Sequence, residues 1–121
     1  MAMTIHPDSV PQEVKNAFYE KFPEVQNPTW EYEGQFEAEF QTADGKEVEV
    51  NFYQDGRITQ VEYEISKEEL PEAVKAAVKR LYPHCEIEEV ERVEKADGSI
   101  FYEVDLAFEV HFTPEGRVCC Y

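Results

Sequence analysis

Val10-Pro11-Gln12-Glu13-Val14-Lys15-Asn16-Ala17-Phe18-Tyr19-Glu20-Lys21-Phe22-Pro23 decides the fold, because the chain states its pattern twice. Leu70-Pro71, Val74, Ala77, Val78 and Tyr82-Pro83 repeat it sixty positions later. Apolar residues at 10, 14, 17, 18 and 22 recur with the period of one helix face, leaving Lys15, Asn16, Glu20 and Lys21 for water. Ser9, three residues before Gln12, with Pro11 in the first turn, predicts the helix start, and Phe22-Pro23 predicts its end. The second helix opens at Leu70-Pro71 behind a Ser66/Glu69 capping box, runs to Leu81 with Leu81 turned inward, and stops at Tyr82-Pro83.

The same offset carries Glu49-Val50-Asn51-Phe52 onto Glu109-Val110-His111-Phe112 and Asp55-Gly56-Arg57-Ile58 onto Glu115-Gly116-Arg117-Val118. Between these anchors the period is two. From Trp30 to Gln41 apolar residues fall at nearly every even position and polar ones at odd positions, a half-buried strand or a hairpin pivoting near Gly34. Asp44-Gly45 and Asp55-Gly56 are hairpin turns flanking Val48, Val50 and Phe52, and Val61, Tyr63 and Ile65 form the next strand. In the second half, Ile87, Val90 and Val93 are spaced by three, which reads as a strand with a bulge. After the turn at Asp97-Gly98, every even position from Ile100 to Phe112 is apolar, so one unbroken strand of about 13 residues is favoured over a hairpin near Asp105 to Ala107. Pro114-Glu115-Gly116 turns into a short last strand, Arg117 to Tyr121, and residues 1–8 read as a flexible lead.

The expected fold is therefore α+β: a tandem repeat of helix plus antiparallel β-meander, with two helices packed on one face of an antiparallel sheet. A single helix cannot cover its own meander, so residues 1–121 form one domain of two repeats, about 9–65 and 66–121.

Composition narrows the partners. Twenty-seven acidic against eleven basic side chains give a net charge of −16, which repels phosphate backbones and anionic membranes and leaves basic proteins or cations. No apolar run is long enough to cross a bilayer. Met1 to Pro7 lacks the basic and apolar regions of a secretion signal. The expected compartment is periplasmic if a leader has been removed ahead of Met1, and cytoplasmic otherwise.

The residues offer a binding surface instead of a catalytic centre. Carboxylates pair at Glu31/Glu33, Glu37/Glu39, Glu47/Glu49 and Glu62/Glu64, all at solvent-phase strand positions, whereas acid–base work needs two carboxyls in different environments. His84, Cys85, His111, Cys119 and Cys120 offer soft ligands without the spacing of a zinc site, and no twelve-residue calcium loop is present. Three cysteines define no disulfide framework, and Cys85, matching Val25 in the repeat, is expected as a buried free thiol. No catalytic residue, metal or cofactor is assigned, and the chain is not expected to be an enzyme. Tyr19, Tyr53 and Phe101 fall out of phase with the buried stripes, and Tyr121 is terminal. Tyr19, Tyr53 and Phe101, with Glu37, Glu39, Glu47 and Glu49, make the candidate partner-binding face, acidic with aromatic anchors.

The spacing of Val10-Pro11, Phe22-Pro23, Trp30, Phe36 and Gly56, and of Leu70-Pro71, Tyr82-Pro83, Tyr102 and Gly116, resembles the PepSY-like family of small bacterial proteins across residues 10–118. That family is similar in fold to the beta-lactamase inhibitor protein. The resemblance implies fold-defining positions and no active site, export to the periplasm, and a binding or inhibitory role. The expected function is a non-catalytic binding or inhibitor-like module for a protein or peptide. The alternatives are a small-ligand or cation-binding protein, or a structural self-associating protein that dimerises through the long strand or a sheet edge.

Overall fold

The computed structural model describes residues 3–119. The chain divides into two compact units, Met1–Glu62 and Tyr63–Tyr121. In the first, strand β1 (Met3–Ile5) and a 3-10 turn (Pro7–Ser9) lead into helix α1 (Gln12–Lys21). Strands β2 (Thr29–Tyr32), β3 (Phe36–Gln41) and β4 (Glu47–Phe52) follow, and β5 (Ile58–Ile65) runs across the division. The second unit continues with a 3-10 turn (Lys67–Glu69), helix α2 (Glu72–Leu81) and strands β6 (Glu89–Lys95), β7 (Ile100–Asp105) and β8 (Glu109–Phe112). Two helices and eight strands make an α+β fold, and successive strands pair antiparallel at β1–β2–β3–β4 and at β6–β7–β8.

In each unit the helix covers one side of its strands. Val14 and Phe18 of α1 are fully buried, and Phe18 meets Trp30 at 5.5 Å and Phe40 at 5.9 Å between ring centroids. Phe22–Phe40 and Trp30–Phe52 contacts extend this aromatic core. The second core is mostly aliphatic: Val74, Ala77 and Val78 of α2 pack with Val90, Val104, Leu106 and Val110, and Phe112 closes it. Each large apolar side chain so buried contributes about 2 kcal/mol.

The glycines that repeat at an offset of sixty have a contact reason. A Cβ on Gly56 would lie 2.7 Å from the backbone oxygen of Glu13, and one on Gly116 would strike the backbone oxygen of Ala73. Both have positive φ, +95° and +87°. The last turn of each unit thus seats directly against the first turn of its helix, and only glycine fits. Helix and turn are locked together in sequence spacing because their backbones touch.

The structure corrects several expectations. Residues 3–5 are not a loose lead: Ile5, Thr4 and Met3 pair with Trp30, Glu31 and Tyr32. Ser9 does not cap α1; it ends the 3-10 turn, and Pro11 is the residue before the helix. The Ser66/Glu69 capping box is formed, but on the 3-10 turn ahead of α2. Leu81 is 44% exposed, in keeping with Lys21 at the matching position of the first helix. Strand β6 has no bulge against β7: Glu89 to Glu94 pair one-for-one with Asp105 to Ile100, so Val90 and Val93 are buried on opposite faces.

The expected 100–112 strand is broken at Leu106-Ala107-Phe108, where the Leu106 N–H donates to the Phe108 carbonyl at 2.8 Å. The reversal keeps Ala107 out of the left-handed region, so no glycine marks it. Phe108 is exposed against Tyr82 instead of inward. Beyond Gly116 the described residues form only a bridge between Val118 and Phe112, and Cys120 and Tyr121 lie outside the described residues.

Candidate functional site

Strand alternation sorts the first unit's side chains into two faces. On β4, Val48, Val50 and Phe52 turn toward α1 and are buried, which sends Glu47, Glu49 and Asn51 to the other side. The register sets them beside Gln41, Glu39 and Glu37 of β3, and Glu37 stands across from Glu31 of β2. Neither a lysine nor an arginine occurs on β2, β3 or β4. The four glutamates expected from the sequence, Glu37, Glu39, Glu47 and Glu49, therefore share one face. Toward one end this face opens into a groove of about 870 Å³, walled by Glu31, Glu39 and Glu47 and by Glu24 and Asn27 of the loop after α1.

Crowding of like charges perturbs these carboxyls. Glu49 is pushed up to about 8, first by burial and then by the negative charges of Glu62 and Glu37. Glu37 is raised by burial, partly offset because it accepts a hydrogen bond from Glu49. Glu39 is raised by burial and by Glu47 and Glu31. Burial and like charge thus make the Glu37–Glu49 pair hold a proton more tightly than isolated carboxyls do. Asn51 is 8% exposed, its side chain hydrogen-bonds Glu37, and its Oδ1 is buried without a partner.

Of the aromatic residues assigned to the same face, Tyr19 is placed apart from it, on the helix. Tyr19 lies on α1, edge-on to Phe18, and is 39% exposed. Tyr53 sits in the β4–β5 turn under the Arg57 guanidinium at 4.7 Å and is 46% exposed. Phe101, on β7 of the second unit, is half-buried opposite Val93. Sequence reasoning missed Glu24 and Glu31 as groove residues, and Asn51. The signal for Asn51 was its breaking of the Glu47-x-Glu49 alternation.

The second unit has its own polar constellation. Glu103 is 8% exposed and lies 3.0 Å from His111 Nε2, and with Glu109 these residues bring one ligand atom each within 4.8 Å. Glu89, Glu91 and Asp105 form a second such group. Asp105 is raised by burial and by Glu109, Glu89 and Glu88, and its Oδ1 is buried without a partner. Among the described residues the soft-ligand set considered from sequence does not gather, since His84 and Cys85 are exposed in the loop after α2; Cys120 lies outside the described residues. Exposure of Cys85 corrects the expected buried thiol; its loop is held by a backbone bond from Cys85 to Tyr82 and buries nothing there. The hairpin aspartates serve their own turns, Asp44 lowered by Thr42, Asp55 by the Arg57 backbone and Asp97 by Ser99.

Residues 34–119 match a family described as "Putative beta-lactamase-inhibitor-like, PepSY-like". The match spans most of the sequence, and the chain belongs to this PepSY-like family. No curated protein matches. Among solved structures the chain is similar to a protein of Bacteroides eggerthii described as periplasmic, with TM-score 0.84, 19% identity, and 92% of this chain and 86% of that one covered. It is also similar to a DUF2874 family protein of Bacteroides uniformis, with TM-score 0.83, 19% identity and coverage of 91% and 86%. A BLIP-like protein of Bacteroides fragilis matches with TM-score 0.75, 24% identity and coverage of 91% and 83%. At these identities the likeness establishes the fold. Among the described residues no helix is long and apolar enough to cross a membrane.

Proposed function

We propose that this protein is a non-catalytic binding module, inhibitor-like in its mode of action, that docks a basic protein or peptide segment on the acidic face of its first unit. The observation that carries the reading is the groove walled by Glu31, Glu39 and Glu47, on strands without a single basic residue, and by Glu24 of the loop after α1. Such a concave, single-sign surface steers a cationic partner and discriminates against anionic ones. Tyr53, at the turn beside β4, supplies an exposed aromatic anchor. The family's inhibitor-like description and the BLIP-like neighbour support a protein partner. The periplasm is the proposed compartment, in line with the neighbour described as periplasmic.

Affinity capture from a native extract tests this when the wild type is compared with Glu39→Gln/Glu47→Gln/Tyr53→Ala. The reading requires one dominant basic partner that the triple variant releases at 0.15 M salt. Equal recovery by both proteins, or by an unrelated protein of the same net charge, counts against it.

A further inference from the structure

Among the described residues only two buried side-chain atoms lack a hydrogen-bond partner, Asn51 Oδ1 and Asp105 Oδ1. Asn51 is the more deeply placed residue, at 8% exposure. A buried carbonyl left unpaired costs about 1–3 kcal/mol, so native proteins supply such an atom with a partner, frequently a water or an ion.

The surroundings of Asn51 specify the chemistry of that partner. Glu37 lies across from it on β3 and hydrogen-bonds its side chain. Glu49, two residues back on β4, hydrogen-bonds Glu37. Glu31 flanks Glu37, Glu39 flanks Glu49, and Glu62 of β5 adds its field. Every nearby charge is negative and every available ligand atom is oxygen. An anion is repelled, and a soft metal finds no sulfur or imidazole. Hard cations of the calcium and magnesium type take carboxylate and amide oxygens. The depth of Asn51 favours a small ion over the head group of a partner's side chain.

We propose that Glu37, Glu49 and the side-chain oxygen of Asn51 form a site for one hard divalent cation on the outer face of the first unit. Two carboxylates balance the 2+ charge and the amide adds a neutral ligand. None of the groove residues Glu24, Glu31, Glu39 and Glu47 is a ligand in this site, although Glu31 and Glu39 adjoin it.

Isothermal titration with calcium chloride and with magnesium chloride, at pH 7 in 0.15 M NaCl, is the test. The wild type should bind one ion. Glu49→Gln and Asn51→Ala should each weaken binding about ten-fold or more. Asn51→Asp, which keeps an oxygen at that position, should restore binding, separating ligation from a folding defect. Glu89→Gln, in the second unit's acidic group, should leave the affinity unchanged within about two-fold. The proposal is overturned if the wild type binds neither ion at about 10 mM, if Glu49→Gln and Asn51→Ala bind as the wild type does, or if Glu89→Gln is the change that removes binding.

Discussion

The two units solve the same folding problem with their hairpins in opposite order. In the first, β2 and β3 are joined by the three-residue bend Glu33-Gly34-Gln35, closed by Glu33 N–H to Gln35 carbonyl, and β3 and β4 by the glycine turn Thr42 to Lys46. In the second, the glycine turn comes first, Lys95 to Ser99, and the three-residue bend second, Leu106-Ala107-Phe108. Helix positions and final turns keep a fixed offset because Gly56 touches Glu13 and Gly116 touches Ala73. Nothing comparable fixes the loops between the middle strands. What differs functionally follows the same division. Asn51 and Glu37 face each other across β3–β4, while His111 and Glu103 hold the corresponding positions of β7–β8. One unit therefore keeps an amide oxygen without a partner among carboxyls, and the other closes a carboxyl–imidazole pair.

The comparison is most severely tested in the cores. Phe18 and Val78 occupy matching helix positions, one in a network of rings and one among aliphatic side chains. Phe18→Ala should cost about 4 kcal/mol and Val78→Ala about 2 kcal/mol in urea denaturation. Equal costs would show that the aromatic and aliphatic cores do not differ in the way described. Gly116→Ala and Gly56→Ala come next, at about 3 kcal/mol each, since positive φ and a backbone collision act together. If either were tolerated, the shared helix–turn contact could not explain the fixed spacing.

A smaller effect distinguishes the exchanged bends. Gly34 has φ +73° with open space around it, so Gly34→Ala should cost about 1 kcal/mol. Ala107 has no such requirement, and Ala107→Gly should cost less than about 1 kcal/mol, only through the freer unfolded chain. The two melting curves compare these directly. Last is pH. Folded Glu49 keeps its proton to about 8, against 4.5 for the ordinary carboxyl. Between those values the folded state holds the extra proton, so stability is greatest at the acid end and declines as pH rises through the window. Solvent screening reduces this to on the order of 1 kcal/mol. Glu49→Gln should flatten that decline in cation-free buffer, and an unchanged slope would place the perturbed group elsewhere.

Helices, faces and the Asp/Glu-Gly-Arg turns were legible in the residues because each leaves a periodic or steric mark. Val14 and Phe18, or Val74 and Val78, can be read inward from spacing alone, and Gly56 and Gly116 from their recurrence. The bend at Leu106 to Phe108 was not legible, because it preserves the apolar alternation on both sides and uses no glycine. Val93 misled for a different reason: a strand buried on both faces at one point imitates a bulge. Strand β1 carries too few residues to show a period. For the candidate site, alternation placed Glu37, Glu39, Glu47 and Glu49 together, since register converts parity into a face. The groove walls contributed by Glu24 and Asn27, and the separation of Tyr19 from that face, depend on how the loop and helix pack, which no local pattern records.

Backbone amide NMR of the wild type, titrated at 0.15 M salt with a short Lys/Arg-rich peptide and with a neutral peptide of equal length, tests the acidic face most directly. Saturable shifts caused by the basic peptide alone should cluster on Glu24, Glu31, Glu39 and Glu47, the residues that wall the groove. Shifts scattered over the surface, or equal responses to both peptides, would contradict the assignment of this face as the binding surface.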